Sequence, residues 1–261
     1  METRFYKTLW GVPGSIEASL ERIQEAGYEG FEGWIGEPSA HRAAVERTGL
    51  GFIALVAGED PDRFERDLAV ARGCGAEKIT VHCGGAHWTE DRTASFLDRA
   101  LHSCEDVGVE VNFETHRGRA LSEPLGTARM LRRFDSLHLA ADFSHWTCVT
   151  ESMLADFGEE MALATLRTRH LHARVGHEEG PQVPDPRSSM WRDHVEAHLA
   201  WWDAVHTAHL ARGETRMTVD PEYGPPHYQW TDPATGEPLA DVWEVSLWTR
   251  KLLRDRWSAE T

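Results

Sequence analysis

Glu114 ends an apolar run, VEVNFE at 109–114, and His116 and Arg117 follow at once. A carboxylate, an imidazole and a guanidinium so close together fit either a solvated loop or a site. Three later runs end in groups of the same kind. The run 137–142 ends in Asp142, 168–173 carries His172, and TVDPEYGPP delivers Glu222 just beyond 215–220. Taken singly, each acid reads equally well as a helix N-cap or a loop charge. Brought together, three carboxylates and one imidazole repel one another unless a cation sits among them. An oxygen-rich set with a single imidazole suits Mn2+, Mg2+ or Co2+ better than a thiolate-preferring ion. The expectation is one divalent metal per chain, Mn2+ first, with Mg2+, Co2+ or Zn2+ as alternatives, held by Glu114, Asp142, His172 and Glu222.

Such a set meets only if the fold carries four consecutive strand ends to one place. Strand-like runs recur at 5–11, 28–35, 51–57, 78–83, 109–114, 137–142, 168–173 and 215–220. Helical patterns lie between them. Ser15 reads as an N-cap for a helix with Ile16, Leu20 and Ile23 on one face and a stop at Gly27. Pro61 opens a second helix with Phe64, Leu68 and Ala71, ending at Gly73 or Gly75. Further helices fit 89–106, 124–133, 150–166, 189–212 and 240–257. Strands alternating with helices imply a parallel sheet. Eight units of roughly 33 residues match a closed (β/α)8 barrel, one domain over residues 1–261. The alternative, an open doubly wound sheet, would carry a glycine-rich phosphate loop after its first strand. WGVPGS at 10–15 is not one. In a barrel the functional groups stand at the C-terminal ends of the strands.

The chain has 261 residues, 41% hydrophobic and 27% charged, which is ordinary for a globular protein. Its 27 basic and 43 acidic residues give a net charge of −16, which disfavours nucleic acid as a partner. No apolar run approaches the ~20 residues that span a bilayer, so no membrane is expected. The N-terminus lacks the apolar core of a signal peptide, and a cytoplasmic protein is the expectation. Cys74, Cys83, Cys104 and Cys148 are scattered and read as buried thiols.

The segments NFETHRGR (112–119), AADFSHW (140–146), RHLHARVG (169–176) and DPEYGPPHY (220–228) resemble the xylose isomerase-like barrel superfamily. That group includes sugar epimerases of the tagatose/psicose 3-epimerase type, hydroxypyruvate isomerase, inosose dehydratase and endonuclease IV. With the eight-unit alternation, the resemblance spans nearly the whole chain. It implies that Glu114, Asp142, His172 and Glu222 bind one metal. It also implies that Glu114 and Glu222 move protons on opposite faces of the substrate, and that His145 holds a substrate oxygen. The epimerases carry a further arginine several residues after the metal histidine. Position 178 here is Glu, and Arg174 would have to serve instead.

Other pocket candidates follow from their place at strand ends. They are Trp10 near the end of strand one, Glu32 and Trp34 near the end of strand two, and His82 in VHCGG at the end of strand four. The tryptophans stack on sugar faces or simply pack. His116, Arg117 and Arg119 either anchor substrate or pair within their loop. His194, His198, His206 and His209 sit in a helix that packs on the barrel or on another subunit, which leaves room for a homo-oligomer, and they are not expected as ligands.

The favoured function is a metal-dependent isomerase or epimerase of a sugar or sugar-like hydroxy-carbonyl, with glutamate as acid and base. The alternative is a metal-dependent lyase on the same scaffold, either a dehydratase or an enzyme that cleaves a C-glycoside of a keto-sugar. A nuclease is disfavoured by the charge, and a non-catalytic barrel would leave the ligand set without use.

Overall fold

The computed structural model describes residues 1–258. Eight parallel strands close into a barrel in chain order, each hydrogen-bonded to its neighbours, with the last returning to the first. They are β1 (Glu2–Thr8), β2 (Gly30–Trp34), β3 (Gly51–Gly58), β4 (Lys78–Cys83), β5 (Glu110–Glu114), β6 (Leu139–Ala141), β7 (Thr168–His172) and β8 (Arg216–Asp220). Nine α-helices among the described residues surround them: α1 (Ile16–Glu25), α2 (Pro38–Thr48), α3 (Pro61–Gly73), α4 (Glu90–Val107), α5 (Pro124–Arg133), α6 (Phe143–Thr150), α7 (Gly158–Arg167), α8 (Arg192–Ala211) and α9 (Val242–Ser258). The closed barrel replaces the open-sheet alternative. None of the described helices is long and apolar enough to cross a membrane.

The helices start where backbone chemistry directs. Ser15, Asp60 and Thr89 cap α1, α3 and α4 through their side-chain oxygens, and Pro38, Pro61 and Pro124 occupy first-turn positions where no N–H is needed. The outward face of the strands and the inward face of the helices share one apolar core. Phe31, Phe52, Phe64, Phe113 and Phe143 are fully buried in it. Removing an aromatic from such a core costs ~3–5 kcal/mol.

Three elements depart from the sequence reading. β1 begins at Glu2 and ends at Thr8 rather than running over 5–11, so Trp10 stands in the loop beyond it. The polar segment at 38–48 forms α2, which the apolar pattern does not reveal, because only His41 and Ala44 of its face are buried. The helix expected at 150–166 begins only at Gly158, as α7; a turn in which Glu151 and Leu154 take positive φ precedes it, and α6 at Phe143–Thr150 is a further helix that the sequence reading did not expect. Asp142 starts α6, with its side chain accepting from the Ser144 N–H.

Alternation within the strands decides which side chains face the barrel interior. Thr8 pairs with Glu32, Ala57 with His82, Glu114 with Ala140 and His172 with Asp220. These inward positions lie at the C-terminal mouth. On the rim, a Cβ on Gly224 would lie 2.1 Å from the Trp10 ring, so only glycine lets the β8 loop lie against that indole.

The long helix α8 buttresses the loop after β7. His198 is fully buried there, its Nε2 accepting from Gly176 N at 3.1 Å and its Nδ1 donating to the His194 carbonyl at 2.8 Å. Burial pushes its pKa down to about 3, against about 6.5 for a free imidazole. A folded-state value below the unfolded one stabilises fully above pH ~6.5 and loses that contribution as the pH falls toward the folded value. At ~1.4 kcal/mol per pH unit the loss amounts to roughly 4–5 kcal/mol. The thermal midpoint is therefore expected to drop steeply between pH 6.5 and 4, and less steeply in His198→Gln. Parallel pH profiles for the two proteins would refute this role.

Candidate metal centre and active-site pocket

The barrel mouth opens into a cavity of about 320 Å3 whose wall includes Trp10, Trp34, His82, His116, Arg174 and Tyr228. Its floor carries Glu32, Glu114, His172, Asp220 and Glu222. A larger groove of about 650 Å3 lies on the outside, between α2, α3 and α4. It brings together no set of ligand atoms, so the chemistry belongs to the mouth.

Glu114, Asp142, His172 and Glu222 each offer a ligand atom within 4.8 Å of the others. All four are buried. Glu114 and Asp142 are held in register by Thr115, whose hydroxyl donates to Asp142 O at 2.9 Å and accepts from Asp142 N at 2.7 Å. His172 Nδ1 faces Glu222 Oε2 at 3.2 Å and Glu114 Oε1 at 3.5 Å. Two buried atoms, His172 Nδ1 and Glu222 Oε2, face each other here without a hydrogen bond, and Glu114 Oε2 meets His82 Nε2 alone. Buried polar atoms normally find partners. A carboxylate oxygen and an imidazole nitrogen left without hydrogen bonds beside two further buried carboxylates fit a divalent cation of the Mn2+ or Mg2+ class.

Asp142 is more heavily engaged. Its Oδ1 accepts from Ser144 N at 3.0 Å and from the Ser144 hydroxyl, while its Oδ2 pairs with Arg174 Nη2. The N-cap role and the ligand role thus fall on different oxygens of one side chain, and a metal would share Oδ2 with the guanidinium. Arg174 is buried, with Nε donating to Ser144 Oγ at 3.2 Å and Nη2 donating to His145 Nε2 at 2.7 Å. Its Nη1 has no partner.

Charge is sharply ordered in this pocket. Burial by itself would raise the Glu114 carboxyl, but the neighbouring His82, His116 and His172 outweigh it and hold the group well below the usual carboxylate range. Glu222 is lowered in the same way, with burial overcome by Arg174 and His172. Both stay ionised at neutral pH. Burial disfavours the His172 cation, yet Glu32, Glu222 and Glu114 together raise its pKa well above that of a free imidazole. Burial pushes His116 down to about 4 despite the nearby Glu114. His145 falls well below its ordinary value through burial and the Arg174 charge, so both side rings are neutral.

The remaining sequence candidates divide by position. His82 Nε2 contacts Glu114 Oε2, and its ring meets the Trp34 edge at 5.2 Å. Trp10 packs edge-on to Tyr228 at 4.8 Å. His145 is enclosed rather than open to the cavity, 0% exposed beneath His116, whose ring centre lies 4.0 Å away. Glu32 is held by hydrogen bonds to His170 and His172. Arg117 lies 4.7 Å over the Tyr228 ring, and Arg119 pairs with Glu59 at 2.8 Å and the Gly84 carbonyl at 3.2 Å, partners in the loops after β3 and β4 and not in its own loop. The α8 histidines join none of the candidate ligand groups among the described residues.

Sequence reasoning passed over His170, Asp220 and Tyr228. The first two had a signal: His170 and Asp220 stand two residues from site groups, and a period of two returns a strand side chain to the same face. Asp220 is fully buried with neither oxygen hydrogen-bonded, and burial pushes it well above the carboxylate range against the pull of Lys7.

No protein-family model matches the chain, and no curated protein matches it in sequence. Solved structures do match in fold. D-allulose 3-epimerase from Methylomonas sp. superposes with a TM-score of 0.65 at 11% identity, covering 97% of this chain and 98% of that one. Endonuclease IV from Thermus thermophilus gives 0.57 at 15% identity over 99% and 100%. The probable 3-DHS dehydratase of petrobactin synthesis from Bacillus anthracis gives 0.58 at 13% over 85% and 94%. At this identity the likeness establishes the fold alone, a closed (β/α)8 barrel.

Proposed function

We propose that this protein is a divalent-metal-dependent isomerase or epimerase of a small carbohydrate-like hydroxy-carbonyl compound. The observation that carries the reading is the convergence of buried ligand atoms of Glu114, Asp142, His172 and Glu222 within 4.8 Å, with His172 Nδ1 and Glu222 Oε2 lacking hydrogen bonds, at a cavity in the barrel mouth. An epimerase and a dehydratase on the same barrel support enzymatic use of such a mouth. The set Glu114, Asp142, His172 and Glu222 would hold the metal. The chemistry supplied by a bound divalent ion is polarisation of a carbonyl and its adjacent hydroxyl, which acidifies the neighbouring C–H.

The chain's own groups do the rest. Glu222, ionised and close to the ligand atoms, takes the proton from carbon. Glu114, on another strand, returns it or receives it in the reverse direction. Arg174 Nη1 is a free donor at the cavity wall for a substrate oxygen. Trp10, Trp34 and Tyr228 offer apolar faces to a sugar ring and narrow the entrance to water.

The test is turnover in D2O. Mn2+-loaded protein is offered ketoses, inososes and keto-glycosides, and recovered compounds are read by mass spectrometry and NMR. Isomeric product with deuterium on the carbon beside the carbonyl is expected. Loss of water or of an aglycone would assign the lyase alternative. Inertness of the metal-loaded protein toward every hydroxy-carbonyl offered, without even solvent exchange, would count against both.

A further inference from the structure

Behind the converging ligand atoms runs a second buried line of polar contacts. Glu32 on β2 is 1% exposed. Its Oε2 accepts from two imidazoles, His170 Nε2 at 2.9 Å and His172 Nε2 at 2.9 Å. His170 is fixed from its far side, with Nδ1 lying 2.9 Å from Thr218 Oγ1 and 3.1 Å from Thr218 O. The line therefore crosses the barrel from β8 through β7 to β2 and back to His172.

The form of His172 that ligates a metal is the neutral imidazole, left when the ring cation of the metal-free site gives up a proton, and it has one N–H and one lone pair. An ionised carboxylate only accepts, so the N–H of His172 must lie on Nε2. The lone pair then falls on Nδ1, the atom that faces Glu114 and Glu222 and has no hydrogen-bond partner. The ring plane is set as well, because Glu32 is itself anchored by His170.

We propose that Glu32 is a positioning residue for the metal centre: by accepting the Nε2–H of His172 it selects the tautomer and ring orientation that present Nδ1 as the ligand atom. The proposal rests on the reading of Glu114, Asp142, His172 and Glu222 as that centre. In this proposal Glu32 acts through His172 and not as a ligand, although it lines the cavity and its other oxygen, Oε1, has no hydrogen-bond partner. Glu32, His170 and His172 also lie close enough together to enclose an ion of their own. Both imidazoles instead stand at hydrogen-bond distance from a single carboxylate oxygen, which is the arrangement of two N–H donors sharing one acceptor. Partners of this kind behind a ligating histidine are worth 10–100-fold in metal affinity.

The test uses the full chain, freed of metal and titrated with Zn2+, with 15N-labelled histidine followed by NMR. Wild type is expected to bind one ion per chain, with His172 ligating through Nδ1 and its Nε2–H visible as a slowly exchanging downfield proton. Glu32→Gln, similar in shape but uncharged, is expected to bind one ion 10–100-fold more weakly and to lose that downfield signal. Glu32→Asp keeps a carboxylate and is expected to fall between the two. His172 ligating through Nε2 in wild type would overturn the proposal, whether or not the variants fold. So would unchanged affinity in Glu32→Gln, or two ions per chain that fall to one in it, since Glu32 would then be a ligand. A wild type that takes up no ion overturns the metal-centre reading underneath, a result distinct from one bound ion indifferent to Glu32.

Discussion

His172→Ala is expected to leave the protein unable to hold a divalent metal through gel filtration. His172 is the only nitrogen in the set, and its second nitrogen is tied into the barrel wall through Glu32 at 2.9 Å. Outer-shell partners of such a ligand are already worth 10–100-fold in affinity, and the ligand itself more, so a loss on the order of 100-fold or greater is expected. Asp142→Ala is expected to strip the metal too, for a compound reason. It removes an oxygen and also frees the Arg174 guanidinium, whose Nη2 lies 3.8 Å from Glu222 Oε2, to occupy the site as an internal cation. Elemental analysis of desalted protein checks both. Wild-type metal content in His172→Ala would remove it from the ligand set.

Glu222→Gln is expected to reduce turnover by about 10²–10⁴-fold or more, the range for loss of a general base, while keeping some metal. The amide preserves the side-chain shape and an oxygen that can still ligate. What it removes is the ionised group held below the usual carboxylate range by Arg174 and His172 in spite of burial. Placement should survive as well, because the loop after β8 is stiffened by Pro221, Pro225 and Pro226, and the Tyr223 hydroxyl and the Gly224 N–H are tied to Val183 O and Gln182 Oε1. Near-normal turnover in Glu222→Gln would assign the proton transfer elsewhere, with Glu114 the next candidate.

Much of this architecture was legible because strands and helices write different periods into the chain. Runs such as KITVHC and VEVNFE became β4 and β5 within a residue of their expected ends. The spacing of Phe64, Leu68 and Ala71 marked the buried face of α3. α2 was illegible for the converse reason, as most of its surface is solvated and little apolar pattern is required of it. The late start of α7 was hidden because the turn before it depends on positive φ at Glu151 and Leu154, neither a residue that announces a turn.

At the site, strand ends revealed which residues gather but not how they face. Glu114, Asp142, His172 and Glu222 were findable because barrel strands deliver their last side chains to one mouth. That Arg174 turns toward Asp142, that His145 lies beneath His116, and that Glu32 holds two histidines depend on rotamers and cross-barrel distances. These partners lie up to 140 positions apart, as Glu32 and His172 do, and no local pattern encodes them.

The central claim is that a divalent metal resides among Glu114, Asp142, His172 and Glu222. It is tested most directly by the metal content of the wild-type protein, purified without added metal or chelator and, separately, after incubation with Mn2+ and desalting. The account predicts close to one divalent ion per chain after loading, displaced by none of the monovalent buffer ions. A loaded wild type that emerges with no stoichiometric divalent metal would contradict it.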